Sequence, residues 1–199
     1  MTRAEESFEL LREGNLRFVR ERTRARDDGS ALRRVATAVA PHPIAAVLGC
    51  ADSRVPPERV FDQGLGDLFV VRVAGQVVDD AVMGSLEFAV DVFDVPLVVV
   101  LGHENCGAVT ATVDGLLGEG TPPASHVGSV LDLVRPSVAQ VVAEGPTADH
   151  AALIDRATQA HVAATIATLR EGSPFLARTP MVAAYYHLHD GRVAFGEPE

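Results

Sequence analysis

The sequence has only two cysteines and no tryptophan, and it is poor in basic residues. The cysteines, Cys50 and Cys106, form no CxxC pair, which disfavours a disulfide scaffold or a thioredoxin-like redox site. Lys and Arg number 17 against 27 Asp and Glu, a net charge of -10. No positive field is therefore available to hold a phosphate backbone, and we expect no nucleic acid partner.

Long apolar runs are also missing. No segment approaches the roughly 18 consecutive apolar residues that a membrane helix needs. Residues 1–30 are rich in charge, which is unlike the apolar centre of a secretory signal. We therefore expect a cytoplasmic protein that does not bind membranes.

The sequence does contain enough apolar residues for one core. With 199 residues, 47% of them apolar, it predicts a single domain over residues 1–199. Residues 1–30 are predicted to be an N-terminal helical arm, because Thr2 and Glu5 have the spacing of a capping box and apolar residues recur every three or four positions. The helix is predicted over residues 3 to about 25, and its apolar stripe needs a partner surface.

Three short apolar runs predict strands of a parallel sheet. The runs Ile44–Gly49, Phe69–Val73 and Leu97–Gly102 are continuous rather than alternating, as expected of strands covered on both faces. A helical pattern at Asp80–Phe93 separates the last two. The fold class that follows is α/β, with a central, largely parallel β-sheet flanked by helices. The remaining predicted elements are a helix from Cys106 toward Leu117, a helix from Ser125 interrupted near Pro136, a helix at Thr147–Glu171, and a terminal hairpin of Met181–Leu188 and Arg192–Phe195.

Metal-ligand side chains follow two of the predicted strands. Cys50 comes directly after the first, and His103 comes directly after the third, with Cys106 three residues later at the start of a helix. Ligands collect at the carboxyl ends of strands in open α/β sheets, and a helix N-terminus favours a thiolate. Two thiolates and one imidazole suit zinc and leave one tetrahedral position open. The spacing alone leaves a second interpretation open, that of two inert buried thiols.

A carboxylate and a guanidinium follow the first cysteine within four residues. Asp52 could accept a hydrogen bond from a water on the metal, and Arg54 could hold that carboxylate ionised and oriented. A surface ion pair in a loop is the alternative interpretation.

The motifs CADSR, GDLFVVRVAG and GHENCGA, in this order, resemble the β-class carbonic anhydrases. That family has the pattern C-x-D-S-R, followed some fifty residues later by H-x-x-C. The resemblance extends from Gly14 and Asn15 in the first helix to the closing hairpin. It covers most of the chain.

The resemblance implies a zinc enzyme that converts carbon dioxide and water to bicarbonate and a proton. One zinc ion per subunit is expected on Cys50, His103 and Cys106, with Asp52 and Arg54 as the catalytic pair. Zinc-bound hydroxide would attack carbon dioxide while Asp52 accepts the hydroxide proton in a hydrogen bond. The family also implies a homodimer or a higher even oligomer, with the first helix reaching across to the other subunit.

The resemblance further implies a small apolar substrate pocket, and this chain departs from the family near it. The expected pocket residues are Phe69, Ala74, Phe88 and Gly107. Phe88 replaces a common tyrosine, Gln76 replaces a common asparagine, and Pro41 stands where many members have a glutamine that hydrogen-bonds substrate. Proline offers no donor, so we expect modest activity or a different small substrate.

Another departure concerns regulation. Val47 stands where some members have a tryptophan of a noncatalytic bicarbonate site. We therefore expect an open zinc site at neutral pH and no bicarbonate switch of that kind.

Three other functions remain open from the sequence. The same ligands could serve a hydrolase of carbonyl sulfide or carbon disulfide. They could also form a catalytically silent, regulatory zinc site in which Asp52 is a permanent fourth ligand, although structural sites usually close with a fourth Cys or His. A redox dithiol is the weakest alternative.

Overall fold

The computed structural model describes residues 1–23, 31–39, 41–120, 125–145 and 149–198. Five strands form one sheet in the order β2-β1-β3-β4-β5. The first four are parallel and β5 is antiparallel to β4, which confirms the predicted α/β fold and terminal hairpin. The strands are β1 (Ala45–Cys50), β2 (Leu68–Val73), β3 (Val98–His103), β4 (Met181–Tyr186) and β5 (Val193–Phe195).

Helices lie on both faces of the sheet. They are α1 (Arg3–Val19), α2 (Ala31–Thr37), α3 (Pro57–Val60), α4 (Asp80–Val92), α5 (Gly107–Leu117), α6 (His126–Ala143) and α7 (His150–Gly172), with short 3-10 turns at Ala74–Gln76 and Leu176–Arg178. Side-chain caps start several of them: Thr2 and Glu5 form the predicted capping box of α1, and Asp79 and Asp149 accept backbone N–H bonds at α4 and α7.

Two helix predictions were wrong in extent. Helix α1 ends at Val19 rather than near residue 25, and residues 24–30 of the predicted arm lie outside the described residues. Helix α6 is not interrupted at Pro136. The proline removes one backbone hydrogen bond, but Leu131, Val134 and Val138 pack that helix into the core on both sides of it. Thr147 and the residue after it, included in the predicted last helix, lie outside the described residues.

The central strands form the core, as predicted for strands covered on both faces. All residues of β1 and β3 are buried, and alternate side chains point to opposite faces. One face packs Val47 and Val99 with Leu11 of α1, and the other packs Leu48 and Val100 with α4 and α7. Strand β2 differs, because all six residues are only half-buried at the edge of the sheet.

Helix α1 packs against its own chain. Leu11 is fully buried, and the Asn15 side chain donates to the carbonyls of Val60 and Gly191 and accepts from the N–H of Val193. A β-carbon at Gly14 would lie 1.8 Å from the Phe61 carbonyl oxygen, so only glycine permits this close approach. The buried residues of α1 therefore have a partner surface within the chain, whereas Leu10 and Leu16 of the same helix are exposed. That the first helix reaches across to a second subunit stays a prediction.

The parallel register brings the carboxyl ends of three strands to one edge. Cys50 pairs with Val73 at the end of β2, and His103 ends the neighbouring strand β3. No described helix is long and apolar enough to cross a membrane.

Candidate metal centre

Cys50, His103 and Cys106 meet at this edge. Cys50 is the last residue of β1 and His103 the last of β3, so each strand extends one residue further than predicted. Cys106 precedes α5 as its N-cap residue, at the predicted helix start. The three ligand atoms lie within 4.8 Å of one another, and all three side chains are buried.

The hydrogen bonding of His103 identifies the nitrogen that faces the cysteines. Its Nδ1 atom lies 2.8 Å from the backbone oxygen of Glu104. Because a carbonyl only accepts, Nδ1 carries the hydrogen, and the neutral ring leaves a lone pair on Nε2. That Nε2 atom is buried and has no hydrogen-bond partner in the described structure. An orphaned imidazole nitrogen beside two sulfurs fits a metal ligand.

The ionisation of either thiol affects the pKa of the other. A hydrogen bond with the Cys106 thiol lowers the pKa of Cys50 to about 4, although burial opposes this shift. The N–H groups of Asp52 and Gly75 donate to the Cys50 sulfur and lower its pKa as well. The bond between the sulfurs, together with burial, raises the pKa of Cys106 above its usual range. A divalent cation would displace the remaining thiol proton and leave both sulfurs as thiolates.

The donor set fits zinc. In a tetrahedral site with zinc–sulfur bonds of about 2.3 Å, two sulfurs lie about 3.8 Å apart, which is within the observed spacing. Two thiolates and one imidazole leave a fourth position open. Among the described residues, the other group of three such side chains, Asp114, Glu119 and His150, lies toward solvent, with a hydrogen bond between His150 and Asp114.

Asp52 and Arg54 form a bidentate ion pair beside the cysteines. The Arg54 guanidinium donates from Nε and Nη2 to the two Asp52 oxygens, at 2.9 and 2.7 Å. The Arg54 backbone N–H also donates to Asp52, at 2.9 Å. The Arg54 side chain thereby lowers the pKa of Asp52 to about 2 and keeps the carboxylate ionised.

Sequence reasoning missed two groups that hold this loop. Arg72 of β2 donates to the backbone oxygens of Cys50 and Asp52, at 2.9 and 2.5 Å. In the sequence, Arg72 stands out as the one charged residue of the otherwise apolar strand β2. The Gly75 N–H donates to the Cys50 sulfur at 3.3 Å, beside a similar bond from the Asp52 N–H at 3.4 Å.

The four expected pocket residues divide into two pairs. Ala74 and Gly107 are exposed and adjoin the candidate metal ligands, and a β-carbon at Gly107 would meet nothing within 4 Å. Phe69 lies near the start of β2, four residues or about 13 Å from Val73, which pairs with Cys50. Phe69 and Phe88 both pack against Phe93, and Phe88 is 49% exposed. The chain does not bring these two rings to its own metal centre.

Comparison with known proteins identifies the family. The sequence profile described as carbonic anhydrase matches residues 45–193, which include Cys50, His103, Cys106 and the ion pair. The chain belongs to the β-carbonic anhydrase family. A carbonic anhydrase of Mycolicibacterium smegmatis is 42% identical over 94% of this chain and 90% of its own length. Carbonic anhydrase 2 of Mycobacterium tuberculosis is also 42% identical, over 94% of this chain and 89% of its own.

Solved β-carbonic anhydrases have the same fold. The Coccomyxa enzyme, solved with acetazolamide, has a TM-score of 0.75 and 25% identity, covering 94% of this chain and 85% of its own. A tetrameric β-carbonic anhydrase of Sordaria macrospora has a TM-score of 0.76 and 20% identity, covering 98% and 99%. The recognition made from the three motifs is confirmed. This β-carbonic anhydrase is an enzyme of the lyase class, whose family reaction is the hydration of carbon dioxide.

Proposed function

We propose that this enzyme binds one zinc ion per chain through Cys50, His103 and Cys106 and uses it for reversible hydration of carbon dioxide. The observation that carries the proposal is the buried Nε2 atom of His103, which has no partner in the described structure and lies within 4.8 Å of both sulfurs. When bound, zinc supplies a Lewis acid that brings the pKa of a coordinated water toward neutrality, as is known of carbonic anhydrases.

Asp52 is the residue that orients the attacking oxygen in this proposal. Its carboxylate is ionised and lies two residues from Cys50. An ionised carboxylate can accept the hydrogen of the nucleophile, which turns an oxygen lone pair toward the carbon of carbon dioxide. Arg54 engages both carboxylate oxygens and so keeps Asp52 from closing the fourth position of the metal.

The substrate is proposed to enter beside Ala74 and Gly107. Both residues are exposed, and neither has a polar side chain. Their small size leaves room for carbon dioxide, a small molecule without a hydrogen to donate. Pro41 is exposed near the opposite end of β1, and the small number of substrate hydrogen bonds expected from it remains a prediction.

A homodimer or higher even oligomer is part of the proposal. Phe69 and Phe88 can line a metal centre only if a second subunit supplies them, because each lies far from the centre of its own chain. Helix α4 exposes Phe88 and Val92 beside the half-buried edge strand β2, a surface suited to self-association. A cytoplasmic location remains a prediction.

Substrate assays on zinc-loaded protein separate the proposal from its alternatives. We expect hydration of carbon dioxide, and slower or no hydrolysis of carbonyl sulfide and carbon disulfide. Faster turnover of a sulfur compound would favour the hydrolase alternative. Full zinc occupancy with no turnover of any of the three would favour a silent regulatory protein, with Asp52 as a fourth ligand.

A further inference from the structure

The turn that follows β2 contacts a metal-ligand sulfur and has an unusual backbone. Gly75 has φ +66° and Gln76 has φ +42°, two consecutive residues in the left-handed region. This conformation is disfavoured for a side chain such as that of Gln76, so surrounding contacts must hold it. Holding it matters because the Gly75 N–H donates to the sulfur of Cys50 at 3.3 Å.

His161 of α7 supplies a bond that holds this turn. Its ring is 3% exposed, and its Nε2 atom lies 2.7 Å from the Gly75 carbonyl oxygen. Because the carbonyl only accepts, Nε2 carries the hydrogen and donates it. Gly75 therefore donates its N–H to the metal-ligand sulfur of Cys50 and accepts a hydrogen bond from His161 through its carbonyl.

Ser137 of α6 fixes the ring from the other side. Its Oγ atom lies 2.7 Å from His161 Nδ1 and 2.6 Å from the carbonyl oxygen of Val134. The Ser137 hydroxyl donates to the Val134 carbonyl, and its oxygen lies against Nδ1. Burial lowers the pKa of His161, and the Gly75 carbonyl requires a hydrogen on Nε2 whether the ring is neutral or charged. Ser137 therefore fixes the position of the ring, while the hydrogen on Nε2 follows from the bond to Gly75.

Packing restricts the turn as well. A β-carbon at Gly75 would lie 2.9 Å from Cβ of Ala108 in α5 and 3.3 Å from Cγ2 of Val134 in α6. Ala108 and Val134 therefore leave no room for a side chain at Gly75, but the direction of its carbonyl is set by a hydrogen bond. Among the described contacts, His161 Nε2 provides that bond.

We propose that His161 is a positioning residue of the metal centre, which acts through the Gly75 carbonyl to keep the Gly75 N–H directed at the Cys50 sulfur. The inference rests on the proposed zinc site. A hydrogen bond to a thiolate withdraws electron density from it, so the metal stays a stronger Lewis acid. Without His161 no hydrogen bond fixes the direction of the Gly75 carbonyl, and the Gly75 N–H moves away from the Cys50 sulfur. Cys50 then becomes a misaligned and more electron-rich ligand. Residues that orient metal ligands in this way typically change metal affinity or activity by about 10- to 100-fold when replaced.

Two substitutions at one position test this role. His161→Leu removes the Nε2–H donor and replaces the ring with an apolar side chain of similar size. His161→Gln keeps an N–H group near the position of Nε2 and should restore the bond to Gly75. Thr165→Val is the matched control, because Thr165 is equally buried on α7, and in the described part of the chain its hydroxyl donates within the helix, to the backbone oxygen of His161.

The two main measurements, metal affinity and an absorption spectrum, do not depend on catalytic activity. Zinc affinity is measured by competition with a chelator, and the cobalt-substituted protein reports the sulfur-to-cobalt charge-transfer band. For His161→Leu we expect about 10-fold weaker zinc binding or more, a shifted band, and a rate profile displaced to higher pH. His161→Gln should recover most of each change, and Thr165→Val should match wild type.

Equal behaviour of the Leu and Gln variants, or a Leu variant with wild-type affinity and band, would overturn the inference. Should His161→Leu not fold, His161→Asn replaces it, since its shorter amide cannot reach Gly75. A wild-type protein that binds zinc but turns over no carbon dioxide would refute the proposed function alone, because affinity and spectrum still report on His161. A wild-type protein that binds no zinc would refute both.

Discussion

The guanidinium of Arg54 engages both carboxylate oxygens of Asp52, two residues after the cysteine that ends β1. Arg54 also donates to the backbone oxygen of Asn105, at 3.3 Å, in the segment between His103 and Cys106. The pair therefore links the two loops that carry the proposed metal ligands. It also gives Asp52 a partner other than the metal.

Replacing Arg54 by leucine should raise the pKa of Asp52 from about 2 toward the ordinary value for aspartate. The pKa in the folded chain lies below that of the unfolded chain, so the pair stabilises the protein above about pH 4, and this contribution is lost as the pH falls toward 2. Carboxyl NMR titration of wild type and Arg54→Leu measures the change, with Arg59→Leu as a control on an exposed α3 arginine. A titration midpoint near pH 4 for Asp52 in the wild type would show that Arg54 does not lower its pKa.

Removal of zinc should destabilise the protein, because folding brings together ligands that lie on β1, β3 and the start of α5. Free metal at about 1,000 times its dissociation constant stabilises the folded state by about 4 kcal/mol. We expect the melting temperature to fall on chelation and to recover when zinc is returned. Cys106→Ser should show little response to added zinc. An unchanged melting temperature in the chelated wild type would argue against a zinc site.

The register of the strands explains why so much of the site was predictable. Cys50 and His103 stand at the ends of continuous apolar runs, and parallel strands bring such ends to one edge. The fold class, the hairpin and the capping box of α1 followed from local patterns of the same kind.

What sequence reasoning missed depends on tertiary contacts. His161 and Gly75 are far apart in the chain, and nothing in the spacing of either predicts their hydrogen bond. The continuity of α6 through Pro136 comes from packing that outweighs one lost bond. The distance of Phe69 from the cysteines appears only once the register of β2 is known.

Asn15 provides a stability test that is independent of the metal. Its buried amide joins α1 to the end of α3 and to the terminal hairpin through three hydrogen bonds. Asn15→Leu would leave Val60, Gly191 and Val193 with unpaired backbone groups, at a cost of about 2–4 kcal/mol in the free energy of unfolding. Urea denaturation measures this change. Leu16→Asn, at a site 47% exposed on the same helix, is the control and should change stability little. A cost below 1 kcal/mol for Asn15→Leu would show that these bonds are not needed.

The proposed oligomer predicts sensitivity to charge on α4. Phe88→Asp places a carboxylate on a surface where Phe88 and Val92 are 49% and 57% exposed. Burying that charge in an interface is unfavourable, so sedimentation velocity should detect a shift toward monomer. Val127→Asp, at a site 53% exposed on α6, should leave the assembly unchanged. A monomeric wild type would contradict the proposal, as would a Phe88→Asp variant that assembles normally.

The most direct measurement of the central claim is stopped-flow hydration of carbon dioxide by protein of known zinc content, comparing wild type with Asp52→Asn across pH 7 to 9. We expect wild-type turnover in proportion to bound zinc, and a loss of about 100-fold or more in the variant with its zinc retained, since Asn cannot replace an ionised acceptor. Absence of turnover in fully loaded wild type, or equal rates in the two proteins, would contradict the account.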